Sequence, residues 1–262
     1  MRQAIIATIV GVLVATVCPS PLRAQNAENP RAERGQIESA LPDFSGVWLQ
    51  VGNVTFDPSD PQGKNAADLP FTAWGLSKYK AAKPAHGANQ NLAGVSNDPA
   101  NKCFQPGAPR VYLQPYPMEI IQTPTRVVML FEYGALFREI YTDGRQHPKD
   151  EDLRPMSMGH STGHWEGNTL VVDAVGFTDT TWLDRTGHQH SDQLHLVERF
   201  TRVDKNTLQD DLTFEDPKAY TKPWTGQKIF KLRPTWSLEE WACEDSRLFD
   251  NYMKKTVAGS TK

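Results

Sequence analysis

Six of the seven histidines fall between Tyr141 and Arg199, among carboxylates, glycines and tryptophans. Imidazole is the side chain whose ordinary pKa lies nearest neutrality, so this density points to proton transfer or metal ligation. The histidines sit in three phrases, YTDGRQHP (Tyr141 to Pro148), MGHSTGHWEG (Met158 to Gly167) and TWLDRTGHQHSDQLHLVERF (Thr181 to Phe200). In the first, Asp143 is placed to orient His147 and Arg145 to hold an anionic or phenolate oxygen. His160 and His190 are the other general acid-base candidates, and Asp184 lies in a loop from which it could meet His190. Glu198 completes the candidate catalytic set. In the strand Leu194 to Val203 it shares a face with Leu194, Leu196 and Phe200, so it is either a carboxylic acid with a pKa raised by desolvation or a core carboxylate paired with Arg138 or Arg126.

Other chemistries fit the spacing less well. His188 and His190 would share one face of an extended segment, as in a cupin metal site, but the glutamate and later histidine of such a site are not in place. His160 and His164 have the four-residue spacing of a zincin, which needs a helix that Gly159 and Gly163 oppose. No metal site and no cofactor are expected, and a metal-dependent enzyme using the histidine cluster is kept as an alternative. Ser161, Ser191 and Asp192 adjoin histidines in sequence, yet neighbours in sequence do not form a hydrolytic triad and no Gly-x-Ser-x-Gly elbow is present. Tyr116, Trp165, Trp182 and Trp224 are the aromatic candidates for walls around a flat or hydrophobic ligand.

The elements that must position these groups are strands. From Arg110 onward, short runs of Val, Ile, Leu, Phe and Tyr recur every eight to twelve residues, separated by Asp-Gly, Gly-Asn, Asp-Lys-Asn and Thr-Gly turns, which is an antiparallel β pattern. Strands are expected at 119–122, 126–133, 135–142, 163–166, 169–175, 194–203, 207–215 and 227–232, with another at Trp48. That number can close a barrel and so remove exposed edges. Between Trp48 and Arg110 lies a long insert rich in Pro, Gly, Asn and Ala, with one helical stretch at 71–82, suggesting a lid or plug. The fold class is therefore all-β with little helix.

Residues 1–24 read as a secretory signal: Arg2, an apolar run from Ala4 to Val17, and a cleavage site after Leu22-Arg23-Ala24. Residues 25–40 read as a flexible lead-in, 41–250 as a single domain and 251–262 as a tail. The expected location is the periplasm or the exterior, with no stable membrane insertion. Cys103 and Cys243 remain after cleavage, and in an oxidising compartment they are expected to form a disulfide. Removing Arg2 and Arg23 from the 28 basic residues widens the excess of the 31 acidic ones. No basic stripe is present to track a phosphate backbone, so nucleic acid is an unpromising partner.

Two motifs carry a resemblance. Asp43-Phe44-Ser45-Gly46-Val47-Trp48 resembles the Gly-x-Trp opening of lipocalin-like (calycin) barrels, and Trp165-Glu166-Gly167-Asn168-Thr169-Leu170 resembles a hairpin of small lipocalin-like domains. The phrases PYPMEIIQTP, YTDGRQHP, GHWEGNTLVVDAVGF and TWLDRTGHQHS are similar to those of a large family of secreted bacterial proteins, across residues 41–244. The resemblance implies an antiparallel lipocalin-like barrel and transfers no activity. On the residues themselves, the leading expectation is an enzyme that acts on an aromatic or hydrophobic small molecule by cofactor-free acid-base chemistry of the elimination, isomerisation or cyclisation type. The alternative from another class is a small-molecule carrier or sensor.

Overall fold

The computed structural model describes residues 41–91, 96–149 and 151–241. The expectations for the signal, the lead-in and the tail, and for Cys243, lie outside the described residues.

Nine strands form one closed barrel in chain order: β1 (Gly46–Gln50), β2 (Met118–Gln122), β3 (Arg126–Phe131), β4 (Leu136–Tyr141), β5 (His160–Glu166), β6 (Thr169–Val175), β7 (His195–Asp204), β8 (Thr207–Glu215) and β9 (Trp224–Leu232), with β9 pairing back onto β1. Period-two alternation dictates the two faces. In β7, Leu196, Glu198 and Phe200 are fully buried while His195, Val197 and Arg199 face outward; in β8, Leu208, Asp210, Leu212 and Phe214 take the inner face.

One feature departs from an antiparallel barrel. β4 and β5 run parallel and pair through only Ile140–Ser161 and Tyr141–Thr162. The reason is the connection: 142–159 is too long for a hairpin and returns the chain to the same end of the sheet, and parallel neighbours need such a crossover.

The insert before β2 is a plug. Its one α-helix among the described residues, α1 (Ala73–Ala81), is capped by the Thr72 hydroxyl, which accepts from the Gly75 amide at 3.1 Å. The 3-10 helix Arg110–Leu113 sends Tyr112 into the barrel, with ring centroids 5.8 Å from Phe131, 6.3 Å from Phe200 and 5.7 Å from Phe230. Together with Trp48, Leu113, Leu208 and Leu212 these rings fill the interior as a packed core.

That core contains a charged pair. Arg138 of β4 faces Glu198 of β7 in a bidentate bridge, Nη1 to Oε1 at 2.9 Å and Nη2 to Oε2 at 2.5 Å, with both side chains almost fully buried. Nε and Nη2 also donate to the Ser161 hydroxyl at 3.1 and 2.9 Å, and Nη1 to the Tyr112 hydroxyl. All five guanidinium donors are thereby used. Of the two readings for Glu198, the structure gives the core carboxylate paired with Arg138.

Cys103 ends a 3-10 helix at Pro99–Lys102. Trp241 stacks on Tyr133 at 4.4 Å, and the Tyr133 hydroxyl donates to the Ala100 carbonyl at 3.4 Å. The chain two residues before Cys243 is thus held beside the helix that precedes Cys103.

Removing one member of the interior pair leaves the other charge buried and unpaired. Arg138→Leu is expected to lower stability by about 3–5 kcal/mol, and Arg138→Leu with Glu198→Leu to recover most of it. Urea unfolding of the two variants checks this; equal losses would contradict it.

Candidate functional site

Beside β4 the barrel wall opens. Residues 155–159, which lead into β5, do not continue the parallel ladder. Met156 instead donates to the Gly176 carbonyl at 2.9 Å and accepts from the Thr178 amide at 3.1 Å, forming a parallel bridge with Phe177 beyond the end of β6. The turn back is made at Gly159, with φ of +64° and its amide on the Met156 carbonyl at 3.1 Å. A Cβ there would lie 2.7 Å from the Phe177 ring and 2.9 Å from the Val175 carbonyl oxygen, so only glycine fits.

The resulting wedge is a cavity of about 590 Å³. Because it cuts through the wall, it is lined by residues from both faces of the sheet. Arg138 and Ser161 come from inside, and Phe137, Glu139, Tyr141 and His160 from outside. Its rim is apolar: Phe104, Phe137 and Met156 are 64%, 62% and 48% exposed. Thr178, Thr180 and Thr181 add hydroxyls. Size and balance fit a small-molecule site.

A chain of hydrogen bonds runs from this cavity across the outer face of β5, β6, β7 and β8. His160 Nδ1 lies 2.8 Å from His147 Nδ1, His147 Nε2 lies 2.8 Å from Asp173 Oδ1, Asp173 Oδ2 lies 2.9 Å from His195 Nε2, and His195 Nδ1 lies 3.0 Å from Glu215 Oε2. Register explains the assembly. Thr162 pairs with Asp173, Asp173 with Val197, and His195 with Glu215, so outward positions on four strands fall side by side.

The proton positions follow from chemistry. The hydrogen bond from His195, with that from His147, holds the Asp173 carboxyl below its usual range despite partial burial. It is an acceptor only. His195 lies between two carboxylates and so carries a proton on each nitrogen; its hydrogen bond to Asp173, helped by Glu215 and opposed by burial, pushes its pKa up to about 9. His147 donates Nε2–H to Asp173, and the Nδ1–Nδ1 contact needs one donor and one acceptor; we take His160 as the donor and His147 Nδ1 as the acceptor. His160 then keeps a bare Nε2, which makes no hydrogen bond among the described residues. Burial, then the charges of His147 and Arg145, lower the His160 pKa and favour this neutral form. Tyr141 stacks on the His160 ring at 5.6 Å and is itself covered by the Arg145 guanidinium at 3.9 Å.

Of the seven catalytic candidates, the structure brings His147 and His160 together at the cavity. The others are placed elsewhere. Asp143 pairs with Arg145, at 2.6 Å from Oδ2 to Nη2, and not with His147. Both are surface-exposed, and Arg145 is not among the residues that line this cavity. His190 is buried with both nitrogens used, Nε2 on the Thr181 hydroxyl at 2.7 Å and Nδ1 on the Ser191 carbonyl at 2.9 Å, and burial lowers its pKa. It supports the cavity wall at Thr181. Asp184 meets His188 and not His190, with Oδ2 2.5 Å from Nδ1. Glu198 is held by Arg138. Asp173, His195 and Glu215 were not in the candidate set; the signal available in the sequence was their outward position on neighbouring strands.

The aromatic candidates do not line the wedge. Tyr116 packs against Tyr133 and Trp241, Trp165 against Phe44, and Trp182 is buried in a bridge to Gln189. Trp224 stacks on Phe214 at 3.9 Å and borders a second cavity of about 320 Å³ with Asp60, Asp184 and His188. The large aromatic side chains that line the wedge are Phe104, Phe137 and Tyr141. Among the described residues, no group of three or more His, Cys, Asp or Glu side chains is arranged to hold a metal, and no helix is long and apolar enough to cross a membrane. No protein-family model matches the chain, and no curated protein sequence matches it.

His195 yields a pH prediction. Its folded pKa is raised above the unfolded value, so its contribution to stability is complete below about pH 6.5 and is lost as pH rises through about 9. The urea midpoint is expected to fall between pH 7 and 10 in the wild type and to fall less in His195→Gln. Identical profiles would contradict the assignment.

Proposed function

We propose that the protein is an exported enzyme that moves protons on a neutral aromatic or hydrophobic small molecule bound in the β4–β5 cavity, without a cofactor. The observation that carries this reading is the hydrogen-bond chain that commits His160 Nδ1 to His147 and leaves Nε2 as a base on the cavity wall. The Arg138–Glu198 pair contributes no net charge at the cavity floor, and Glu139 is bridged to Arg126 at 2.7 Å. An uncharged ligand is therefore favoured over an anion or cation.

The chemistry is reversible at one atom. His160 Nε2 takes a proton from a carbon acid or hydroxyl of the substrate. Its Nδ1 proton then passes to His147 Nδ1, and the positive charge comes to rest beside the Asp173 carboxylate. Return of that proton through His160 Nε2–H reprotonates the leaving group or a second carbon. Abstraction followed by return is the step shared by elimination, isomerisation and cyclisation, and an imidazole, which can both take and return a proton, suits both halves. The Thr178 hydroxyl, which accepts from Thr180 at 3.2 Å, keeps its own proton available to orient substrate oxygen. Export rests on residues 1–24, and the proposed Cys103–Cys243 disulfide is supported by the proximity of Trp241 to the Ala100 segment.

A carrier reading draws on the apolar rim alone and gives the histidine chain no role. The two are separated with a panel of neutral aromatic carbon acids and β-hydroxy carbonyl compounds, scored by mass spectrometry for water loss, isomerisation and deuterium uptake from heavy water. Turnover is expected in the wild type and is expected to fall about 100-fold or more in His160→Ala with ligand affinity kept. His190→Ala is expected to lower stability by about 1–3 kcal/mol through its lost buried hydrogen bonds. Turnover undiminished in His160→Ala, or ligand always recovered unchanged, would contradict the enzyme reading.

A further inference from the structure

The wedge exposes a strand edge, and that edge specifies more about the ligand than the side chains do. The Thr142 amide donates to the Thr125 carbonyl at 2.8 Å, so in the β3–β4 ladder the backbone groups of Thr142, Ile140, Arg138 and Leu136 face β3. By alternation, those of Tyr141, Glu139 and Phe137 face the other way, toward β5. The two-residue parallel junction uses the Tyr141 groups and, by the geometry of a parallel rung, the Glu139 carbonyl. The Glu139 N–H and both the N–H and C=O of Phe137 are left without a partner among the described residues. They point into the space from which residues 155–159 have turned away, and both residues line the cavity.

Unpaired backbone groups on an apolar edge are a template for one more strand. Within the cavity no cation has a free donor, since all five Arg138 donors are engaged, so no salt bridge competes as the anchor. We infer that the ligand of this cavity carries an extended residue flanked by two secondary amides that pairs with the free edge of β4, the N–H of one amide and the C=O of the next exchanging two hydrogen bonds with Phe137, and an apolar side group packed on the Phe104–Phe137–Met156 rim. The class is an N-acyl aromatic amino-acid amide or a short apolar peptide. This inference rests on the reading of the wedge as the substrate site and narrows the substrate to amides.

The experiment uses the full chain and two matched probes, N-acetyl-phenylalanine N-methylamide and O-acetyl-phenyllactic acid N-methylamide, in which the central N–H is replaced by oxygen. Binding is measured calorimetrically and amide hydrogen exchange by NMR. The amide is expected to bind at least about tenfold more tightly than the ester and to slow exchange at Phe137. The tenfold corresponds to about 1.4 kcal/mol, the scale of one hydrogen bond. Equal affinity of the two probes, or amide binding without protection of Phe137, overturns the inference. A naphthol that binds where neither probe does overturns it while leaving the cavity as the substrate site. Amide binding with protection, alongside turnover unchanged in His160→Ala, upholds it and removes the enzyme reading instead.

Discussion

The structure turns on the junction between β4 and β5, two rungs long and parallel where the neighbouring ladders are antiparallel. A hairpin at this point would have zipped the wall shut and separated the faces of the sheet. The long connection 142–159 instead brings β5 in alongside β4 late, and the turn at Gly159 diverts its lead-in toward Phe177. The gap lets an inward serine and an outward histidine, adjacent in sequence and opposite in direction, border one cavity. His147 lies in the same connection, which places its ring against His160.

Charge is managed differently on the two sides of the wall. Inside, Arg138 and Glu198 cancel each other and satisfy their hydrogen-bonding groups with Ser161 and Tyr112. Asp210, fully buried on the adjacent strand and with no hydrogen bond of normal geometry to either carboxyl oxygen, is pushed well above the carboxylate range by burial and the Glu198 charge. A neutral acid is the form such a position favours. Outside, partial solvation permits a row of charges: Glu215, imidazolium His195 and carboxylate Asp173 form a fixed alternation that ends at His147. The two carboxylates flanking His195 keep it charged, so it saturates one Asp173 oxygen and leaves the other to orient His147. In the proposed mechanism, proton movement is thereby confined to the His147–His160 half of the chain.

Much of the architecture was legible in the sequence because alternation is a local signal. The strands at Thr169–Val175 and Thr207–Glu215 coincide with their expected bounds, and α1 falls inside the expected helical stretch. Expected termini moved where a glycine interrupted the pattern, as at β5, which begins at His160 and not at Gly163. The site was less legible, since its contacts run across strands. Asp143 was matched to the histidine of its own phrase, and Asp184 to His190 and not to His188, its partner four residues on, whereas hairpin register gave His147 its partner from a strand 26 residues away. The tryptophans went to packing, as large rings with a strand position usually do, and the exposed phenylalanines of the rim had no periodic signature to mark them.

The most direct test of the central claim is the protonation and tautomer of the imidazoles, read from long-range proton–nitrogen correlation spectra of uniformly labelled protein near neutral pH. The account predicts a neutral His160 protonated at Nδ1 with a pyridine-type Nε2, a neutral His147 protonated at Nε2, and a His195 protonated at both nitrogens. A neutral His160 protonated at Nε2, or a neutral His195, would contradict it.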